Sequence, residues 1–146
     1  MAALLDVNCL IALVDSDHVG HEAVHQWFRK HSARGWATCA ITENGMIRVL
    51  SQSAYPSGRR SPADVIAILK ALKLAFLKSH QFWADEVSLT DESLFQPELI
   101  SGSKMVTDAY LLGLAARNNG TLISLDRTLP WQAIQSGSAS LVHMPE

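Results

Sequence analysis

Short apolar segments alternate with helical repeats along this chain. The segments 3–6, 36–40 and 121–125 are brief and mostly apolar, as buried strands of a parallel sheet are. Between them apolar residues recur at intervals of three and four, as in 23–28, which predicts amphipathic helices. Helices are predicted at about 9–14, 19–31, 42–52, from 61 onward and at 107–117, with a strand at 82–89, a short helix near Trp131 and a last strand at 141–143. Because strands and helices alternate, the expected fold class is α/β, with a mostly parallel sheet between two helical layers.

Polar residues mark where several of these helices begin. Thr42 is predicted to cap one helix, with Glu43 in its first turn, and Thr107 to cap another, with Asp108 in its first turn. The helix that starts at Ser61 carries apolar residues around much of its circumference. We therefore expect that helix to be well buried.

Composition narrows the class of protein. A chain of 146 residues fits one domain, 1–146, with a core that needs no disulfide. Cys9 and Cys39 lie in apolar segments and are expected to be buried, reduced thiols, as in cytoplasmic proteins. No signal peptide or membrane span is expected. The net charge of −2 argues against a protein that only grips a phosphate backbone, but allows an enzyme with an acidic, metal-filled centre.

Four acids stand where an active site is expected. Asp6 and Asp126 end two predicted strands, and Glu43 and Asp108 open helices. Taken singly, each is explained as a helix-start or turn residue. Ligands of open parallel sheets bind beyond the carboxyl ends of the strands, where loops bring such residues together. Four converging carboxylates repel one another unless a cation neutralises them, and oxygen ligands suit Mg²⁺ or Mn²⁺, which can activate a water for attack on a phosphodiester.

The blocks that hold these acids have a recognisable order. They read LLDVN at 4–8, TENGMIRVL at 42–50, and VTDAYLLGLA at 106–115 followed by GTLISLD at 120–126. In order and spacing they resemble a PIN domain, and in particular the VapC toxins of bacterial toxin–antitoxin pairs. The resemblance runs from residue 3 to about 130, almost the whole chain.

This resemblance implies five parallel strands flanked by helices and an endoribonuclease that depends on Mg²⁺ or Mn²⁺. Asp6 and Asp108 match the principal metal ligands of the family, and Glu43 and Asp126 match its other acids. Asn8, Thr107 and Thr128 are the further polar residues expected to support these ligands. Thr128 stands where some members carry another acid, which puts a second, permanently bound metal in doubt.

Substrate and partners follow from the same resemblance. Arg48 is expected either to reach an RNA phosphate or to pair with one of the acids. Arg59 and Arg60 lie in an exposed loop and are either solvated or part of a flap that contacts RNA. The family implies an antitoxin that places an Arg or Lys in the acidic pocket. It also implies a homodimer, for which Trp27 and Trp131 offer modest support.

Other interpretations stay open at this stage. His21-Glu22-Ala-Val-His25 spells the HExxH zinc-protease motif, although two surface histidines on an amphipathic helix explain it more simply. Six histidines allow a metal-independent ribonuclease, which would work in chelator and leave a cyclic phosphate. An aspartyl-phosphate phosphatase or receiver-like domain is weakened because position 8 is Asn rather than Asp. A catalytically silent module that binds RNA or protein is weakened because all four acids are present.

Overall fold

Five parallel strands form the centre of the protein. The computed structural model describes residues 1–145. The strands are β1 (Ala3–Leu5), β2 (Trp36–Cys39), β3 (His80–Trp83), β4 (Thr121–Ile123) and β5 (Val142–His143). They form one sheet in the order β3-β2-β1-β4-β5, in which every neighbouring pair is parallel. The predicted fold class is confirmed.

The order of the strands creates a crevice beside β1. The chain adds β2 and β3 on one side of β1 and then places β4 and β5 on the other. Leu5 pairs with Ile123, so the residues that follow β1 and β4 leave the sheet side by side. Such a reversal of strand order opens a crevice at the carboxyl ends of the strands, which is where open α/β sheets bind ligands.

Helices cover both faces of the sheet. They are α1 (Val7–Val14), α2 (His21–His31), α3 (Ala40–Leu50), α4 (Pro62–Ala75) and α5 (Val106–Arg117). Short 3₁₀ helices lie at Ser32–Arg34, Pro97–Leu99, Ser103–Met105, Trp131–Ala133 and Ala139–Leu141. Because side chains alternate along a strand, Ala3 and Leu5 pack towards α1–α4, whereas Ala2 and Leu4 pack towards α5. The three-layer arrangement follows from this alternation.

The starts of three helices differ from the prediction. The first helix, α1, begins at Val7 rather than at about residue 9, and Asp6 caps it, since its Oδ1 accepts a hydrogen bond from the N–H of Val7 at 2.8 Å. Thr42 does not cap α3, which begins at Ala40; its Oγ1 instead accepts from the N–H of Cys39 within the first turn. Thr107 does not cap α5 either, because α5 begins at Val106 and Thr107 is exposed in its first turn. In both cases the helix begins before the threonine, because the residues that precede it also adopt helical geometry.

The expectation that the fourth helix is well buried was wrong. Within α4 only Val65 and Leu69 are buried, whereas Leu74 is 70% exposed and Leu77, just beyond the helix, is 63% exposed. The helix packs mainly against α3, so one stripe of its surface is covered. An apolar sequence alone does not reveal how many neighbours a helix has.

Other expectations can be checked in the described part of the chain. The predicted strand 82–89 is displaced to β3, and the segment from 84 to 105 contains no α-helix. Cys9 and Cys39 are buried free thiols, as expected. Trp27 is a core residue, so it does not mark an exposed interface. Residues 1–145 include no helix long and apolar enough to cross a membrane.

Candidate active site

Asp6 lies at the centre of the crevice. It follows β1 directly, and its Oδ2 accepts a hydrogen bond from the Ser124 hydroxyl at 2.7 Å. Burial raises the pKa of Asp6, and the nearby charge of Asp126 raises it further. The hydrogen bonds from Ser124 and from the N–H of Val7 oppose this rise. Asp6 is therefore a carboxylate fixed by two hydrogen bonds, in surroundings that disfavour its charged form.

Ser124 is a site residue that was not predicted from the sequence. It follows β4, is fully buried, and joins three parts of the crevice. Its hydroxyl donates to Asp6, and its oxygen accepts from Nδ2 of Asn8 at 3.2 Å and from the N–H of Asp126 at 3.0 Å. The only sequence signal is a small hydroxyl residue two positions before an acid, at the end of a buried strand. That signal is common, so only the fold shows its importance.

Asn8 and Thr128, two of the residues expected to support the acids, both form hydrogen bonds in the crevice. Asn8 accepts from the N–H of Leu125 at 3.2 Å while it donates to Ser124, which ties the start of α1 to the loop after β4. Thr128 donates its N–H and its hydroxyl to Oδ1 of Asp126 at 2.8 and 2.7 Å. One oxygen of Asp126 is thus held in place by its own loop.

Asp108 reaches the same crevice from the other helical layer. It lies in the first turn of α5, at the positive end of the helix dipole. Burial, together with the charges of Asp6 and Asp126, raises the pKa of Asp108 to about 6. We call Asp6, Asp108 and Asp126 the aspartate cluster, because the charge of Asp126 acts on Asp6 and the charges of both act on Asp108.

Glu43 contacts a different set of residues. Its Oε2 accepts from the Thr38 hydroxyl at 2.6 Å and from Nζ of Lys73 at 2.9 Å. Nε2 of His80 lies 2.8 Å from Oγ1 of Thr38. Glu43 is not among the charges that raise the pKa of Asp6 or Asp108. In this structure it belongs to a network of polar contacts with α4 and β3 that was not predicted from the sequence.

The predicted RNA-binding arginines lie away from the aspartate cluster. Arg59 and Arg60 follow Tyr55 and Ser57, whose hydroxyls both donate to Oδ2 of the buried Asp15 at 2.5 Å. Asp15 ends α1, and Asp6 begins it. A helix of this length rises about 12 Å at 1.5 Å per residue. The arginine loop is therefore anchored at the end of α1 opposite the cluster.

Two further predicted residues make no described contact with the acids. Arg48 is exposed near the end of α3, and the ion pairs of residues 1–145 do not include one between Arg48 and an acid. Its alternative role as a salt-bridge partner of the acids is therefore not realised. Thr107 makes no hydrogen bond to the cluster within the described residues.

The donor chemistry of the aspartate cluster suits a hard divalent cation. Among residues 1–145, no three His, Cys, Asp or Glu side chains already form a group that could hold a metal. Mg²⁺ usually keeps several waters and takes only one or two carboxylates from a protein. Carboxylates that raise one another's pKa gain from a cation between them. Asp6, Asp108 and Asp126 therefore fit the metal as the residues that would hold it.

The HExxH segment lies outside the crevice. Nδ1 of His21 is 2.7 Å from the carbonyl oxygen of Ala12, and the His21 and His25 rings are stacked with centroids 5.4 Å apart. His25 is exposed, and residues 1–145 offer no third ligand that completes a metal group here. The helix-surface interpretation of these histidines fits this geometry.

Comparisons with known proteins agree with the fold. The family model of the PIN domain matches residues 3–132. Ribonuclease VapC44 of Mycobacterium tuberculosis (strain ATCC 25618 / H37Rv) is 42% identical over 135 residues, which cover 92% of this chain and 92% of that protein. Ribonuclease VapC39 of the same strain is 42% identical over 144 residues, 99% of each chain. Ribonuclease VapC29 of that strain is 35% identical over 129 residues, 88% of this chain and 89% of that protein.

Proposed function

Because the chain belongs to the PIN domain family, we propose that it is a metal-dependent endoribonuclease and the toxin of a toxin–antitoxin pair. The observation that carries the proposal is the aspartate cluster at the carboxyl edge of the sheet, with the pKa of Asp108 raised to about 6. Perturbed carboxylates that share one crevice are typical of functional sites. Relatives that match nearly the whole chain are named ribonucleases.

The proposed chemistry assigns a separate task to each residue. Asp6, Asp108 and Asp126 would hold Mg²⁺ or Mn²⁺, which supplies a water of lowered pKa and stabilises the leaving oxygen of a phosphodiester. Ser124 fixes Asp6 by its hydrogen bond, and Asn8 fixes Ser124. These contacts preserve the positions of the carboxylates, which matters because small displacements of ligands cost much of a catalyst's rate.

In this proposal, arginine side chains bind the RNA substrate. Arg48, Arg59 and Arg60 are the residues we propose to contact RNA phosphates, since a guanidinium binds a phosphate through two hydrogen bonds. The loop that holds Arg59 and Arg60 is anchored at the end of α1 opposite the aspartate cluster, which suits an RNA that extends along the protein, with contacts there that position the strand rather than cut it.

An antitoxin is the proposed protein partner. A basic side chain from that partner would compete with the metal for the aspartate cluster, because both are cations that a set of carboxylates attracts. We further propose that the protein acts as a homodimer in the cytoplasm.

The test is to map the cleavage ends on total RNA. The wild type is incubated with Mg²⁺, Mn²⁺ or EDTA beside Asp6→Asn and Asp108→Asn. We expect cuts that leave a 5′-phosphate on the downstream fragment, that disappear in EDTA, and that both variants nearly abolish. Cyclic phosphate ends formed in EDTA would favour the histidine mechanism. Mn²⁺ binding without cleavage over a broad set of RNAs would favour a silent binding module.

A further inference from the structure

Glu43 differs from the aspartate cluster in what neutralises it. One of its oxygens receives both the ammonium of Lys73 at 2.9 Å and the hydroxyl of Thr38 at 2.6 Å. Among residues 1–145 the ion pairs include none with an aspartate of the cluster, and the charges of Asp6 and Asp126 instead raise the pKa of Asp108. Glu43, which the family resemblance places among the acids of the site, is thus paired with Lys73 of α4 in this structure.

The chain of contacts around Glu43 is continuous. Thr38 is fully buried in β2 and directs its proton to Glu43. The proton between Thr38 and His80 therefore comes from Nε2 of His80. Burial and the charge of Lys73 lower the pKa of His80, while Glu43 raises it. Lys73 supplies the ammonium that pairs with Glu43 in this set of contacts.

The ion pair between Lys73 and Glu43 is accessible to solvent. Its side chain is 30% exposed, whereas that of Glu43 is 16% exposed. Both residues border a groove of about 640 Å³ between α3 and α4. Small ions and solvent therefore reach the pair without unfolding the protein.

We propose that Lys73 is a positioning residue that holds Glu43 away from the aspartate cluster until a divalent cation competes for it, and that it thereby sets the metal concentration the site requires. The inference rests on the proposed function, since it presumes a divalent cation at the aspartates. Its physical basis is competition, because an ammonium and a metal ion attract the same carboxylate oxygen. Removal of the ammonium leaves Glu43 available to the metal.

The chain offers a matched control for this inference. Lys73→Met removes the charge and keeps a long apolar stem. Lys70 lies three residues earlier on α4, borders the same groove, and forms no ion pair among residues 1–145, so Lys70→Met makes the same change without touching Glu43. Lys73→Arg keeps the charge and should behave as the wild type.

The experiment measures the dissociation constant for Mn²⁺ by electron paramagnetic resonance, on the full chain and without RNA. We expect Lys73→Met to bind Mn²⁺ about two- to fivefold more tightly, the effect that a partly exposed ion pair carries. Lys70→Met and Lys73→Arg should match the wild type. In a Glu43→Gln background, Lys73→Met should have no effect, because its action passes through Glu43. Circular dichroism checks that each variant is folded, and Lys73→Gln serves as a second neutral variant.

The possible results distinguish the role of Lys73 from the existence of the metal site. Unchanged or weaker Mn²⁺ binding in Lys73→Met overturns the role of Lys73, and so does an equal gain in the Glu43→Gln background. A wild type that binds Mn²⁺ no better than Asp108→Asn overturns the proposed metal site as well. Normal Mn²⁺ binding that is insensitive to Lys73 overturns this inference alone. The Mg²⁺ concentration for half-maximal RNA cleavage should fall with the Mn²⁺ constant.

Discussion

Asp108→Asn should stabilise the metal-free protein at neutral pH while it removes activity. Folding raises the pKa of Asp108 from 3.8 to about 6, through burial and the charges of Asp6 and Asp126. Because the folded-state pKa is the higher one, the stability linked to this group is fully present below pH 3.8 and is lost as the pH rises through about 6. At pH 7.5 the wild type therefore bears the full penalty, and a neutral asparagine of similar size does not.

The magnitude follows from the size of the pKa change. Each pKa unit corresponds to about 1.4 kcal/mol, so a rise from 3.8 to about 6 sets an upper limit of about 3 kcal/mol. Asp108 is only partly buried, and solvent screens its interactions, which reduces the expected gain to about 1 kcal/mol. For a chain of this length, such a gain raises the Tm by about 2–4 °C.

The assay is urea unfolding in EDTA at several pH values, with Asp64→Asn as the control. Asp64 also lies in the first turn of a helix, α4, but is exposed. Both substitutions lose the favourable interaction of an acid with the helix dipole, about 0.3–1 kcal/mol, so the control reports that loss alone. We expect Asp108→Asn to be more stable than the wild type at pH 7.5, by a margin that shrinks as the pH falls towards 4. A variant no more stable than Asp64→Asn at pH 7.5, or a margin independent of pH, would show that the charge of Asp108 does not destabilise the fold.

Three further predictions test the framework around the site. Ser124→Ala should lower the free energy of unfolding by about 1–3 kcal/mol, because it leaves buried polar groups unpaired, and should reduce RNA cleavage; urea unfolding and a cleavage assay check this. Tyr55→Phe should lower the free energy of unfolding by about 1 kcal/mol, because the hydrogen bond to Asp15 is lost. The loss should be larger at pH 7 than in acid, since hydrogen bonds hold the pKa of Asp15 below its usual value against the effect of burial. Leu69→Ala should cost about 2–5 kcal/mol and Leu77→Ala within about 0.5 kcal/mol, because only the first side chain is buried; equal losses in thermal unfolding would contradict the described packing of α4.

Much of the fold was predictable because its elements depend on residues that lie close together in the sequence. The alternation of apolar segments and helical repeats depends on residues a few positions apart, so it is visible in the sequence. Asp6 and Asp126 were expected at the carboxyl edge because each ends a predicted strand. The cap positions of α3 and α5 were wrong because a polar residue that suits a helix start is equally stable inside the first turn, where Thr42 lies.

The order of the elements, the parallel sheet and the presence of acids that can meet at its edge all follow from local patterns in the sequence. The division of those acids into two groups depends on contacts between distant parts of the chain. Ser124 bonds to Asp6 across 118 positions of the chain, and Glu43 pairs with Lys73 across 30. Contacts between such distant positions leave no local periodicity, and the same holds for the neighbours that α4 has or lacks. The four acids thus became three mutually repelling aspartates and one glutamate held by a lysine, because packing brings their partners together.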